Sequence, residues 1–202
     1  IEKYFGQRPS VFRNTELIYS DEIGSMVCYL GFKAMLTEGA KHVLGWKSPN
    51  YLYTNAINPR LKILMRNYKL SDDISFRFSN HAWSEFPLTT EKFTGWIQNM
   101  DQNEEIINLF MDYETFGEHQ SASTGILNFL RELPNTILRT KDLKFCTPSA
   151  IVENLQPVSS SHVLYPISWA DEERDLSAWL GNEMQDEAFH KLYSLLSRVE
   201  KC

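Results

Sequence analysis

Cysteine is scarce in this chain, and the few thiols that occur are scattered. The 202 residues contain three cysteines, Cys28, Cys146 and Cys202. An odd number of widely spaced cysteines matches neither a zinc-binding pattern nor a closed set of disulfides. We interpret Cys28 as a buried free thiol, because it lies within an apolar helical pattern. Free thiols favour a cytoplasmic protein.

Long apolar runs and an excess of positive charge are also lacking. No run approaches the roughly 18 apolar residues of a membrane span, and no basic-then-apolar leader is visible. The formal net charge is −6, which provides no basic field for nucleic acid. We therefore expect neither a nucleic acid nor a membrane as partner. Hydrophobic residues make up 43% of the chain and aromatic residues 13%, a composition that predicts a folded core.

Strand-like and helix-like patterns alternate along the chain, which predicts an α/β fold with parallel pairing. The spacing predicts strands at 11–17, 42–45, 61–66, 106–112 and 143–146. It predicts helices at 21–37, 89–100, 123–132 and 149–155, a helix or loop at 72–84, and a surface connection at 157–161. A long helical stripe follows Trp169.

Asp112 follows the apolar run 106–111, so the pattern places this acid at the carboxyl end of a predicted strand. Catalytic groups gather at that end of the strands in barrels and open α/β sheets. Glu114 would share a side with Asp112, and His119 lies in the same loop. Gly117 would let the backbone turn there.

Glu16 has a similar setting, since an extended stretch precedes it and a helical pattern follows. Two convergent carboxylates suggest glycoside hydrolysis, in which one acid attacks the anomeric carbon and the other protonates the leaving oxygen. The simpler alternative is that Glu16 and Asp112 are helix caps or surface residues.

Four segments of the chain resemble signature regions of glycoside hydrolase family 57, in its α-amylase-like branch. They are residues 13–19 (RNTELIY), 70–79 (LSDDISFRFS), 111–119 (MDYETFGEH) and 175–182 (DLSAWLGN). The resemblance implies an incomplete seven-stranded β/α barrel, a retaining mechanism on α-1,4-glucans, and no required metal or other cofactor. It also implies that Glu16 is the nucleophile and Asp112 the general acid/base.

The chain lacks the motifs that flank these segments in the family. A His-Gln-Pro-like motif and a Gly-Asn-Val-Glu-like region should precede the nucleophile, and a Ser-Asp-His-like element should follow the last helix. We therefore expect an internal segment of a longer protein, inactive alone, whose partners include the missing parts of the same polypeptide. Residues 1–165 would belong to the barrel, and residues 166–202 would begin a helical region packing beside it.

The remaining candidates concern substrate and metal. Trp83 and Trp179 could stack on sugar rings, ahead of Trp46 and Trp169, although any single tryptophan is more often part of a core. Glu114 and His119 could contact a glucan, or serve as a rim salt bridge and an ordinary loop histidine. A metal centre formed by Asp72, Asp73, His81 and His119 is a weaker alternative to a capping role for either aspartate.

Three functions remain open. The first is an α-amylase-like hydrolase, the second a 4-α-glucanotransferase or glucan branching enzyme, and the third a noncatalytic glucan-binding protein.

Overall fold

A five-stranded mixed sheet organises the chain in the computed structural model, which describes residues 1–200. The strands in chain order are β1 (Val11–Arg13), β2 (Ala34–Thr37), β3 (Tyr53–Asn55), β4 (Lys62–Met65), β5 (Phe116–Gly117), β6 (Gln120–Ser121) and β7 (Ser159–Ser161). The main sheet has the order β1-β2-β4-β3-β7, and β5 pairs with β6 separately.

Helices fill the connections between these strands. In chain order they are α1 (Glu2–Phe5), α2 (Asp21–Tyr29), α3 (Lys41–Leu44), α4 (Tyr68–Ser75), α5 (Thr90–Gln98), α6 (Ile126–Leu138), α7 (Pro148–Asn154), α8 (Ser177–Leu180) and α9 (Glu183–Val199). Together with the sheet they form a mixed α/β fold, as the alternating patterns predict.

Three neighbouring strands point the same way. β1 pairs with β2 and β2 with β4, both in parallel, so their carboxyl ends lie at one edge of the sheet. β3 runs antiparallel to β4 and parallel to β7, which makes the sheet mixed. The carboxyl edge of β1, β2 and β4 is therefore where these strands can present side chains together.

Burial on both faces of the sheet explains why β4 is a continuous apolar run. Ile63 and Met65 join a core cluster with Met35, whereas Leu64 joins a second cluster with Ala34. Successive side chains point to opposite faces of a strand, so adjacent residues enter different cores. A third cluster packs α4, α5 and α6 against each other.

The predicted helix at 21–37 is wrong beyond residue 29. α2 ends at Tyr29, and Gly31 adopts a positive φ of 95°, a conformation that favours glycine. The chain then enters β2, whose residues pair with both β1 and β4. Buried pairing in the middle of the sheet thus outweighs the helical spacing of the apolar residues.

Other local predictions fail for related reasons. Residues 42–45 do not form a strand, because Lys41–Leu44 is helical. Residues 143–146 are irregular, and the predicted connection at 157–161 contains β7. The strand expected at 106–112 is also absent from the ladder. That segment attaches to the chain around β4 through isolated hydrogen bonds, such as Asn67 N–H to the Asn108 carbonyl at 2.8 Å.

Cys28 is half-buried and packs against the first core cluster, while Cys146 is exposed. Cys202 lies outside the described residues. Among residues 1–200, none of the helices combines the length and apolar character that crossing a membrane requires.

Candidate active site

The carboxyl edge of the parallel strands carries three charged residues. Glu16 follows β1 by three positions, Glu38 comes directly after β2, and Arg66 directly after β4. Because these strands are parallel neighbours, their following residues converge on one edge.

Glu16 sits in a tight turn whose backbone is held in an unusual conformation. Thr15–Leu17 forms a short 3₁₀ helix, and both Glu16 and Leu17 have φ of 51°. Asn14 supports the turn, since its side-chain oxygen accepts from Thr15 N–H at 3.0 Å and its amide donates to the Ile18 carbonyl at 3.2 Å. Positive φ is unfavourable for side chains of this size, so the surrounding contacts must hold it. Leu17, which is completely buried, provides one such contact.

Trp169 fixes Glu16 through two hydrogen bonds. Its indole Nε1–H donates to Glu16 Oε2 at 2.7 Å, and its backbone N–H donates to the Glu16 carbonyl at 3.0 Å. The guanidinium carbons of Arg13 and Arg66 lie 4.9 Å and 5.6 Å from the centre of the indole ring. Within residues 1–200, Glu16 Oε1 makes no hydrogen bond, so this oxygen is available to another group.

A buried ionic cluster lies next to this pair. Arg66 contacts Glu38 Oε2 at 2.9 Å and Asp72 Oδ1 at 2.5 Å. Arg174 contacts Asp72 Oδ2 at 3.1 Å and Glu38 Oε2 at 3.8 Å. Burial raises the pKa of Glu38, an effect that the two arginines oppose. We call Glu38, Arg66, Asp72 and Arg174 the edge cluster.

Asp112 is exposed and is placed by its backbone neighbours. Arg66 Nε donates to the Phe110 carbonyl at 2.7 Å, which attaches the segment before Asp112 to the end of β4. Within the described residues, the Asp112 carboxylate has no hydrogen-bond partner, although its carbonyl accepts from Thr115 N–H at 3.1 Å. Arg66 is therefore a shared neighbour of the chain leading to Asp112 and of the tryptophan that holds Glu16.

Glu114 and His119 are exposed in the loop after Asp112. Their backbones are linked, since His119 N–H donates to the Glu114 carbonyl at 2.9 Å. Gly117 has a φ of 123°, as expected for a residue that turns the backbone. Buried Gln120 anchors the loop by donating to the Ser75 carbonyl at 2.8 Å.

Among the tryptophans considered for sugar binding, Trp169 contacts the edge cluster, whereas no hydrogen bond or ring contact joins Trp83, Trp179 or Trp46 to it within residues 1–200. Trp83 is half-buried and packs edge-on against Trp96, with ring centres 6.0 Å apart. Its ring is packed against the core of α4, α5 and α6, which is the commoner alternative for a single tryptophan. Trp179 in α8 is 39% exposed, and Trp46 is 93% exposed.

A cleft of about 870 Å³ opens beside the edge cluster. Its wall includes Tyr68, Asp72, Trp169 and Arg174, together with the acidic residues 171–173. None of Glu16, Asp112, Trp83, Glu114, His119 and Trp179 forms part of this wall. The cleft reaches the site through Trp169.

Three of the four side chains considered for a metal centre contact other groups instead. Asp72 binds Arg66 and Arg174, and Asp73 binds Arg77 at 2.6 Å. His81 packs on Phe86, with ring centres 4.2 Å apart. Neither aspartate caps a helix, since both lie inside α4 and its cap is Asn67. In the part of the chain that the structure describes, no cluster of three or more His, Cys, Asp or Glu side chains could hold a metal ion.

Sequence reasoning did not identify Glu38, Arg66 and Arg174. A signal exists for two of them, because Glu38 and Arg66 directly follow the apolar ends of β2 and β4, as Asp112 follows its own apolar run. Applying the strand-end rule to every apolar run would have found them. Arg174 carries no comparable pattern.

Two known proteins are similar to this chain, one in sequence and one in fold. A curated protein of Methanocaldococcus jannaschii, named "Putative alpha-amylase", is 50% identical over 193 residues, which is 95% of this chain and 40% of that protein. This chain thus spans well under half the length of that relative. The crystal structure of 4-alpha-glucanotransferase from Thermococcus litoralis matches with a TM-score of 0.64 at 15% identity, over 94% of this chain and 29% of that one. The latter likeness concerns the fold alone.

A family model provides the most direct assignment. The model of glycosyl hydrolase family 57 matches residues 1–164, which include Glu16, the edge of the parallel strands and Asp112. The chain therefore belongs to glycosyl hydrolase family 57.

Proposed function

We propose that this chain carries the catalytic acids of a retaining glycoside hydrolase acting on α-1,4-glucans, with Glu16 as nucleophile and Asp112 as general acid/base. The observation that carries the proposal is the way Glu16 is held at the carboxyl edge of the sheet. Trp169 binds Oε2 at 2.7 Å and leaves Oε1 without a partner in the described residues. A carboxylate with one oxygen fixed and the other available suits a nucleophile.

The reaction is a double displacement. Asp112, initially protonated, donates its proton to the glycosidic oxygen while Glu16 attacks C1, and the C1–O bond to the leaving sugar breaks. A covalent glycosyl ester on Glu16 results. Asp112 then removes a proton from water, whose oxygen attacks C1 and releases Glu16.

The contacts of Arg66 support bringing the two acids to one site. Arg66 binds the Phe110 carbonyl, two residues before Asp112, and lies against the ring of Trp169. A retaining mechanism requires carboxyl groups about 5–5.5 Å apart, and we propose this separation for the substrate-bound enzyme.

For substrate contacts we propose Trp83, Glu114, His119 and Trp179. Exposure of Glu114 and His119 near Asp112 and partial exposure of Trp83 and Trp179 support these roles. A flat aromatic ring matches the C–H face of a pyranose, and polar side chains match its hydroxyls.

We further propose that residues 1–165 form part of an incomplete seven-stranded β/α barrel and that residues 166–202 begin a helical region beside it. The parallel strand pairs and the similarity to the glucanotransferase fold support the barrel. Large apolar side chains on α9 support the packing region, since Leu192 is 61% and Met184 80% exposed.

A transferase is the second candidate. The solved structure of similar fold is a 4-alpha-glucanotransferase, and a 4-α-glucanotransferase or branching enzyme would use the same two acids with a sugar hydroxyl in place of water. A noncatalytic glucan-binding protein is the third candidate, in which neither acid would matter for function.

The test uses the protein expressed from its full reading frame. With maltoheptaose, hydrolysis releases reducing ends without longer products, whereas transfer produces chains longer than the substrate. Glu16→Gln should abolish turnover with every substrate. Asp112→Asn should recover activity on substrates whose leaving groups need no protonation. If both variants keep wild-type activity, or respond identically to leaving-group acidity, the proposed roles are wrong.

A further inference from the structure

We infer that Trp169 is the positioning residue of the nucleophile, and that the edge cluster holds Trp169 in turn. The inference rests on the proposed function of Glu16 and adds a residue that orients it. Trp169 lies 153 positions from Glu16 in the sequence, yet the two residues share a side-chain and a backbone hydrogen bond. The paired bonds fix both the position and the rotation of the Glu16 carboxylate.

The indole N–H is a selective donor for this purpose. It has no acceptor function, so it favours a carboxylate with its charge and does not accept a proton from Glu16. A donor of this kind stabilises the ionised nucleophile. It also reserves Oε2 and so leaves Oε1 as the attacking atom.

Two guanidinium groups strengthen the donor. Arg13 and Arg66 lie 4.9 Å and 5.6 Å from the ring centre, within the range of cation–π contacts. Positive charge against the ring draws electron density from it, which makes the N–H a better hydrogen-bond donor. The same contacts restrict rotation of the indole.

The edge cluster fixes the backbone that carries Trp169. Arg174 Nη1 donates to the Trp169 carbonyl, and Arg174 Nη2 binds Asp72 at 3.1 Å. Ser168 closes the same loop by donating to the Asp175 carbonyl at 2.7 Å. Asp171 and Arg174 both have positive φ, of 49° and 56°, so these contacts hold the loop in a conformation that the backbone alone disfavours.

The experiment removes the N–H donor in the protein expressed from its full reading frame. Trp169→Phe should lower kcat by about 10- to 100-fold, the effect of one hydrogen bond to a charged group, while KM changes by less than about twofold.

A second variant keeps the shape of the side chain. Incorporating 3-benzothienylalanine at position 169 replaces the N–H by sulfur and preserves the bicyclic ring. It should give the same loss of kcat even if Trp169→Phe folds poorly. Tyr53→Phe is the matched control, since it also removes one donor, which binds the Ser48 carbonyl at 2.6 Å and takes no part in the proposed site. It should leave kcat and KM unchanged.

Glu16→Gln, assayed in parallel, distinguishes a failure of the proposed nucleophile from a failure of the positioning role of Trp169. If it keeps wild-type turnover, the proposed function fails, and the inference fails with it. If it is inactive while both position-169 variants keep the wild-type kcat, the positioning role alone is overturned. A loss of kcat at position 169 that the control variant reproduces, or that comes with an equal rise in KM, would also overturn it, because Trp169 would then act only on the fold or on substrate binding.

Discussion

The two proposed catalytic acids lie in regions that are held in opposite ways. Glu16 is half-buried in a turn with positive φ, and Trp169 binds both its side chain and its backbone. Asp112 is exposed, and within the described residues its carboxylate has no hydrogen-bond partner. Its segment is attached through the Phe110 carbonyl and through the buried anchor Gln120.

This difference matches the different tasks of the proposed roles. A nucleophile must be ionised and aimed before the substrate arrives, which requires contacts in the free protein. A general acid/base must exchange protons with both a leaving group and water, which requires access. Tertiary contacts thus position Glu16, whereas a loop carries Asp112.

Arg66→Met should have the largest effect of the substitutions considered, because Arg66 contacts both regions. Its removal leaves buried Glu38 and Asp72 with Arg174 as their remaining cationic partner. Truncating one member of a buried ion pair costs about 3–5 kcal/mol, so the free energy of unfolding should fall by about that amount. Equilibrium urea unfolding of wild type and variant measures it.

Arg77→Met is the control for Arg66→Met. Arg77 pairs with Asp73 at 2.6 Å, but its side chain is 44% exposed. Surface pairs contribute about 0–1 kcal/mol, so this variant should unfold almost as wild type does. Equal effects of the two substitutions would show that the edge cluster contributes no more than a surface pair.

Gly117→Ala tests how the loop that follows Asp112 is held. No atom lies within 4 Å of the added Cβ, but φ is 123°, which a side chain disfavours. We expect a loss of about 1–3 kcal/mol in unfolding free energy from backbone strain. If Asp112 has the proposed general acid/base role, the full-length variant should turn over substrates with poor leaving groups more slowly relative to wild type than activated substrates.

Gly95→Ala is the control, and it should raise the free energy of unfolding instead of lowering it. Gly95 also has open space around it, but it lies inside α5. Alanine in a helix interior stabilises by about 0.5–1 kcal/mol relative to glycine. If Gly117→Ala stabilises the protein as well, the turn after Asp112 does not depend on a positive φ.

Glu38→Gln should change the free energy of unfolding by an amount that depends on pH. Burial raises the pKa of Glu38, so its contribution to stability is present below the unfolded pKa and is lost as pH rises through the folded one. Glutamine does not titrate. The stability deficit of the variant should therefore shrink as pH rises above the usual titration range of a glutamate. A deficit that grows with pH would show that Arg66 and Arg174 outweigh the burial of Glu38.

The sequence determined much of the local organisation. The strand predicted at 11–17 forms only over residues 11–13, as β1, whereas the run at 61–66 predicted β4 and helical spacing predicted α5 and α7 closely. The segments containing Glu16 and Asp112 led to the family, which the match over residues 1–164 confirms. These features depend on short-range patterns, which a single sequence displays directly.

The pairing of the strands and the surroundings of the two acids depend on the tertiary structure. Residues 34–37 follow a helical pattern yet form β2, because pairing with β1 and β4 buries them. Residues 106–112 look like a strand yet bind the chain through single contacts, since β3 already occupies that side of β4. The bond from Trp169 to Glu16 joins residues at opposite ends of the chain, and no local pattern encodes such a contact. Propensity acts over a few neighbouring residues, whereas burial and hydrogen bonding select among distant partners, so the sequence indicated the acids and the fold chose what holds them.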